Sequence, residues 1–162
     1  MPTVFERVET VLEDAGAAHA ELLERVSPAL RASLPVDATG ITQAIDILAG
    51  AVGIAGEIRA ERDRLNRANP AVLHGRVYGR APLAPDTVVA AFAEGARARA
   101  TLLERLAAAI GGADLRDDVR SLLADHPLPD GSDPERVAAL RAAYEAQERA
   151  VLLCAGRLDA SG

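Results

Sequence analysis

The chain has 162 residues, the size of one ordinary domain, and 35 Ala with 20 Leu dominate its apolar part, a composition that favours helices over sheets. All 18 positive side chains are arginine, which excludes lysine Schiff-base chemistry and a Walker A phosphate loop. A net charge of −6, with only two Phe, two Tyr and no Trp for stacking on bases, argues against nucleic-acid binding.

The first predicted helix covers about residues 3–26. Thr3 and Glu6 have the spacing of a capping box, in which each side chain binds the backbone N–H of the other residue. Apolar residues then recur in steps of four and three at Val4, Val8, Val11, Ala15, Ala18 and Leu22. This spacing places one apolar stripe along one face of a helix.

The second predicted helix covers about residues 40–69 and ends before Pro70, because no proline or strand-like alternation interrupts it. Three prolines and two glycines between residues 70 and 85 then predict a long loop.

The third predicted helix covers about 86–110 and ends at Gly111 and Gly112, and a short helix follows over about 114–125. A second capping box begins the last predicted helix, over about 133–158. The fold class expected is therefore all-α: a single four-helix up-down bundle over residues 1–162, with one or two short additional helices.

Polar residues at or beside stripe positions mark a candidate ligand site. They are His19 on the first helix, Asp46 with Gly50 and Gly53 on the second, Arg99 on the third, and Tyr144 and Gln147 on the last. In an up-down bundle these residues fall at similar heights, which predicts one polar layer for a small anionic or polar ligand. Arg99 is then the anion anchor and His19 the candidate catalytic acid or base, while the others orient the ligand.

Each of these residues also has a structural interpretation. His19 fits the half-exposed edge of a stripe, and the Arg99 side chain can extend its charged head to water. Gln147 can fix the register between two helices, and Asp46 with its glycines fits a solvated helix face.

A basic stretch interrupts the acidic chain. Residues 59–80 hold six arginines and two acidic residues, a net charge of +4, whereas the segments before and after it carry −6 and −4. His74, Arg76, Tyr78 and Arg80 in the loop are suited to a lid or a docking loop. Alternatively, the arginines stabilise the second helix by interacting with the negative, C-terminal end of its dipole.

No metal or cofactor is expected. A di-iron centre in a helical bundle needs Glu-x-x-His motifs, and none of the three histidines follows a glutamate at that spacing. The single cysteine, Cys154, excludes an intramolecular disulfide and a Cys-rich zinc site, which fits the reducing cytoplasm. We also expect no signal peptide, because residues 1–6 lead directly into amphipathic sequence without a basic segment and an apolar segment. No membrane span is expected either, because the most apolar stretch, 41–58, contains several polar side chains.

Two functions are compatible with these patterns. The first is a non-catalytic accessory or adaptor protein that dimerises through its Ala-rich helices and docks an acidic partner on the Arg-rich stretch. The alternative is a small metal-free enzyme or ligand-binding protein with a pocket at the polar layer.

Overall fold

The computed structural model describes residues 2–14, 38–67, 85–128 and 134–161. Five α-helices and no strand occur in these ranges, so the described part of the chain is all-α, as its composition predicts. The helices are α1 (Val4–Asp14), α2 (Ala38–Ala51), α3 (Ala55–Arg67), α4 (Pro85–Ala124) and α5 (Pro134–Ser161). Within these ranges, no helix combines the length and the apolar character that crossing a bilayer requires.

Helix α1 begins with the predicted capping box. The backbone N–H of Thr3 donates to Glu6 Oε2 at 2.8 Å, and the N–H of Glu6 donates to Thr3 Oγ1 at 3.1 Å. Two further N–H groups at this end donate to a residue near the far end of the chain: Val4 to Asp159 Oδ1 at 3.1 Å and Phe5 to Asp159 Oδ2 at 2.9 Å. The carboxylate of α5 therefore caps α1. The rest of the predicted helix 3–26 lies outside the described residues.

The prediction of one continuous helix over 40–69 is wrong, because the chain breaks between α2 and α3. Gly53 has a φ of 79°, its N–H donates to Gly50 O at 3.3 Å, and the N–H of Ile54 donates to Ala49 O at 2.9 Å. These two bonds form a Schellman motif, in which a left-handed residue ends a helix and satisfies its last carbonyls. Gly53 adopts this conformation without the steric penalty of a side chain, so it terminates α2.

Helix α4 reverses direction inside its range. Gly112 has a φ of 71° and a ψ of −158°, and these backbone dihedral angles are not helical. Across it, Arg120 Nε donates to Glu104 Oε1 at 2.6 Å, although residues 16 apart lie roughly 24 Å apart along a straight helix. The segment after Gly112 therefore folds back on the segment before it, at the glycine pair that ends the predicted helix 86–110.

Helix α2 contacts all four other helices, and its most extensive contact is with α1, while α5 contacts three of them. Helix α5 packs most extensively on α4 and also contacts α1 and α2, while α3 lies against α2 and α4. The buried stripe of α4 contains Val89, Ala93, Ala96, Leu103 and Ala107, and that of α5 contains Val137, Leu140, Tyr144, Gln147, Val151 and Cys154. In both helices these buried residues recur in steps of three and four or their sum, the spacing of one helix face.

Cys154 is fully buried, and burial raises the pKa of its thiol from an ordinary 9.0 to about 12. Below about pH 9 the thiol is protonated whether the chain is folded or unfolded. Above it the unfolded chain loses the proton first, so stability falls as pH rises towards 12. We expect a loss of about 1 kcal/mol at pH 10 relative to pH 8, measured by urea unfolding.

The matched control for this loss is Cys154→Ala, which removes the thiol. Its free energy of unfolding should change less between pH 8 and pH 10 than that of the native protein. The native thiol should also resist a disulfide reagent at pH 8 and react once the chain is unfolded in guanidinium. Rapid labelling of the native protein would contradict the burial of Cys154.

Candidate functional site

Three residues of the predicted polar layer meet between α4 and α5. Arg99 Nε donates to Gln147 Oε1 at 3.1 Å, and the Arg99 guanidinium carbon lies 4.8 Å from the centre of the Tyr144 ring. Tyr144 and Gln147 are 1% and 2% exposed, whereas Arg99 is partly buried at the edge of the core. We refer to Arg99, Tyr144 and Gln147 together as the Arg99 site. The arrangement is a hydrogen bond plus a cation–π contact on one guanidinium.

Two carbonyl groups of α4 hold the α5 side chains of this site. Tyr144 Oη donates to Phe92 O at 2.7 Å, and Gln147 Nε2 donates to Ala96 O at 2.7 Å. Phe92 and Ala96 are one turn apart, as Tyr144 and Gln147 are, so the two bonds form parallel rungs between the helices. They orient both side chains and fix the register of α5 on α4. The structural role predicted for Gln147 is thus present together with its contact to Arg99.

The Arg99 guanidinium has donors that remain unused. Its Nη2 is buried and has no hydrogen-bond partner, and no carboxylate among the described residues forms an ion pair with Arg99. Arg116 Nε is the other buried side-chain nitrogen found without a partner in the described ranges, but Arg116 Nη2 lies 3.5 Å from Asp117 Oδ1. Arg99 therefore stands out as a partly buried cation without a counter-charge. Buried charges in proteins are normally paired.

Gly95, one turn before Arg99, belongs to this site and is not among the residues predicted for it. A side-chain carbon at Gly95 would lie 3.3 Å from Arg99 Nη1, closer than ordinary van der Waals contact. Glycine inside a helix costs about 0.5–1 kcal/mol relative to alanine, so its presence here needs a reason. The space that it leaves is occupied by the guanidinium, which folds back along the helix. A helix-interior glycine four residues before the arginine was the available sequence signal.

Asp46, Gly50 and Gly53 do not join the Arg99 site. Asp46 is exposed and binds Arg62, with 2.8 Å between Oδ1 and Nη1. The buried residues of α2 are Ile41, Ala44, Ile45, Leu48 and Ala49, which places Asp46 off the core-facing stripe. Both glycines are exposed with open space beside them, and Gly53 ends the helix. The structure therefore corrects the expectation that these three residues line one pocket with Arg99.

The other predicted site residues lie outside the described part of the chain. These are His19, the candidate acid or base, and His74, Arg76, Tyr78 and Arg80 of the candidate lid or docking loop.

Two arginines in the described part of the basic stretch pair with carboxylates. Arg62 binds Asp46, and Arg64 Nη2 lies 3.6 Å from Glu61 Oε1. Glu61 also binds Arg105 of α4, whose Nη2 lies 3.1 Å from Glu57 Oε2. The hydrogen bond and charge of Glu61, followed by the charge of Glu57, raise the pKa of Arg105. The acidic side chains of α3 thus link α3 to α4.

No group of three His, Cys, Asp or Glu side chains in the described ranges is arranged to hold a metal ion. Comparison of the chain with protein-family models, with curated proteins and with solved structures finds no match.

Proposed function

We propose that this protein binds a small anionic molecule at the Arg99 site, between α4 and α5. The observation that carries the proposal is the buried Nη2 of Arg99, which has no partner among the described residues. Leaving a buried charged donor without an acceptor costs about 1–3 kcal/mol or more. An anionic oxygen placed against Nη2 removes this cost and supplies the missing counter-charge.

The surroundings of Arg99 are preorganised for such a ligand. Gln147 and Tyr144 hold the guanidinium from one edge and one face, and each is fixed to a carbonyl of α4. Binding therefore requires little reordering of these side chains, which favours affinity. The proposal concerns binding and assigns no catalytic step.

The proposed setting of the site is a helical bundle in the cytoplasm. The packing of α5 against α1, α2 and α4 supports a bundle. The Tyr144–Phe92 and Gln147–Ala96 bonds follow the same order along both helices, so α5 lies parallel to this part of α4 and not in the up-down order expected. A single cysteine, buried and without a disulfide partner, supports a reducing compartment.

Thermal unfolding with a panel of small molecules tests the proposed function. Propionate, sulfate and phosphate are compared at constant ionic strength with uncharged propionamide. We expect at least one anion to stabilise the native protein, by about 2.7 kcal/mol when its concentration is 100 times the dissociation constant. Propionamide should have no such effect.

The control variants separate the site from the rest of the surface. Arg99→Gln should lose the stabilisation, whereas Arg97→Gln, on the exposed face of the same helix, should keep it. If no anion stabilises the protein, or if Arg99→Gln responds as the native chain does, the proposed function is wrong.

A second proposal is a dimeric, non-catalytic adaptor that docks an acidic partner through arginines of the 59–80 stretch. It is supported by Arg59, which is exposed on α3 and has no carboxylate partner in the described ranges. Because Arg62 and Arg64 form ion pairs, the 59–80 stretch has fewer free cations than its net charge suggests. Light scattering over a concentration series tests it: a dimer is expected, and a strict monomer would contradict it.

A further inference from the structure

We propose that the group bound at the Arg99 site is a single carboxylate, held end-on by Nη1 and Nη2, and that Gly95 keeps this edge of the guanidinium in place. This inference rests on the function proposed above. The Nε donor of Arg99 is used by Gln147 Oε1, 3.1 Å away, and the Tyr144 ring lies over the guanidinium. The remaining edge is formed by Nη1 and Nη2, and neither donates to any residue in the described ranges.

The geometry of that edge matches a planar carboxylate. Two parallel N–H donors on one guanidinium edge bind the two oxygens of one carboxylate, an arrangement that an ammonium group cannot reproduce.

The local charge favours a monoanion over a dianion. The neighbouring arginines of α4 are already paired, Arg97 with Glu94 and Arg105 with Glu57 and Glu61. Arg99 therefore contributes the one uncompensated positive charge of this part of α4. A carboxylate balances it, whereas a sulfate or phosphate dianion brings a second negative charge, and the described residues of α4 offer no second unpaired cation to meet it.

Gly95 is assigned as a positioning residue. A carbon added there would lie 3.3 Å from Arg99 Nη1, the one atom of the described residues found within 4 Å of it outside the local helix backbone. A side chain at residue 95 would push Nη1 aside and misalign the two donors, although it would leave the charge unchanged. Gly56, in α3, provides the matched control because a carbon added there meets nothing within 4 Å.

Nuclear magnetic resonance titration tests the inference on the ¹⁵N-labelled full chain. Sodium propionate and sodium sulfate are titrated separately at constant ionic strength, and the readouts are the Arg99 Nε–H and Gln147 side-chain amide resonances. We expect saturable shifts with propionate and at least tenfold weaker binding of sulfate. Arg99→Lys, which keeps the charge but lacks the two-donor edge, should weaken propionate binding by about tenfold or more.

Gly95→Ala should weaken propionate binding severalfold. The control variants Gly56→Ala and Arg97→Gln should leave propionate binding unchanged. Circular dichroism checks that each variant is folded. Sulfate binding as tight as propionate would overturn the carboxylate assignment and leave the anion proposal standing. If neither anion shifts the resonances, both proposals fail. Unchanged propionate binding in Gly95→Ala would remove the positioning role of Gly95.

Discussion

Replacing Leu103 with alanine is expected to lower the free energy of unfolding by about 2–5 kcal/mol. Leu103 is fully buried on α4, within the stripe that faces the rest of the core. Its immediate buried neighbours along α4 are Leu102, Leu106 and Ala107. The change removes the transfer energy of the lost carbons and leaves a cavity, because helices already packed through short side chains have little room to close it. Urea unfolding followed by circular dichroism measures the loss.

Leu153→Ala is the matched control for this prediction. Leu153 is a leucine on α5 with 43% of its surface exposed, so truncating it removes less buried area and opens no enclosed cavity. We expect it to change the free energy of unfolding by no more than about 1 kcal/mol. Equal losses in the two variants would contradict the placement of Leu103 in the core.

Asp159→Ala is expected to lower the free energy of unfolding by about 1.5–3 kcal/mol, an unusual cost for a partly exposed residue. Its two carboxylate oxygens accept the N–H groups of Val4 and Phe5, 155 and 154 residues away in the chain. Thr3 Oγ1 accepts a different N–H of this end, that of Glu6, so Asp159 is the acceptor found for Val4 and Phe5. The loss should be seen in thermal or urea unfolding.

The position of Asp159 within its own helix supports this expectation. An acidic residue near the C-terminal end of α5 is locally unfavourable, because the helix dipole is negative there. At the N-terminus of α1 the same carboxylate is favourable. Asp118→Ala, at an exposed position of α4, is the control and should stay within about 0.5 kcal/mol of the native value. A comparable loss in both variants would show that the cap of α1 contributes little.

Much of the secondary structure was predictable because the signals are local. The capping box of Thr3 and Glu6 and the stripes of α4 and α5 depend on residues within one or two turns of each other. The break at Gly53 was also encoded locally, by a glycine that can adopt a positive φ, but a continuous apolar pattern on both sides of it favoured one long helix.

The candidate site was predictable only in part. Stripe positions place Arg99, Tyr144 and Gln147 near the core, and these three residues do meet. Asp46 was predicted to join them because its position along α2 puts it at a similar height in the bundle. Position along a helix predicts height more reliably than the direction in which a side chain points around the helix. Asp46 instead faces solvent and binds Arg62.

The sequence by itself determined the helical class and the residues that α4 and α5 bury, since helix propensity and the spacing of apolar residues act over a few residues. Tertiary structure alone decided which polar groups find partners. Asp159 meets α1, Gln147 meets Arg99 across 48 residues, and the Nη2 of Arg99 meets no described residue. These outcomes depend on how helices far apart in the chain are turned towards each other, and no local spacing encodes that orientation.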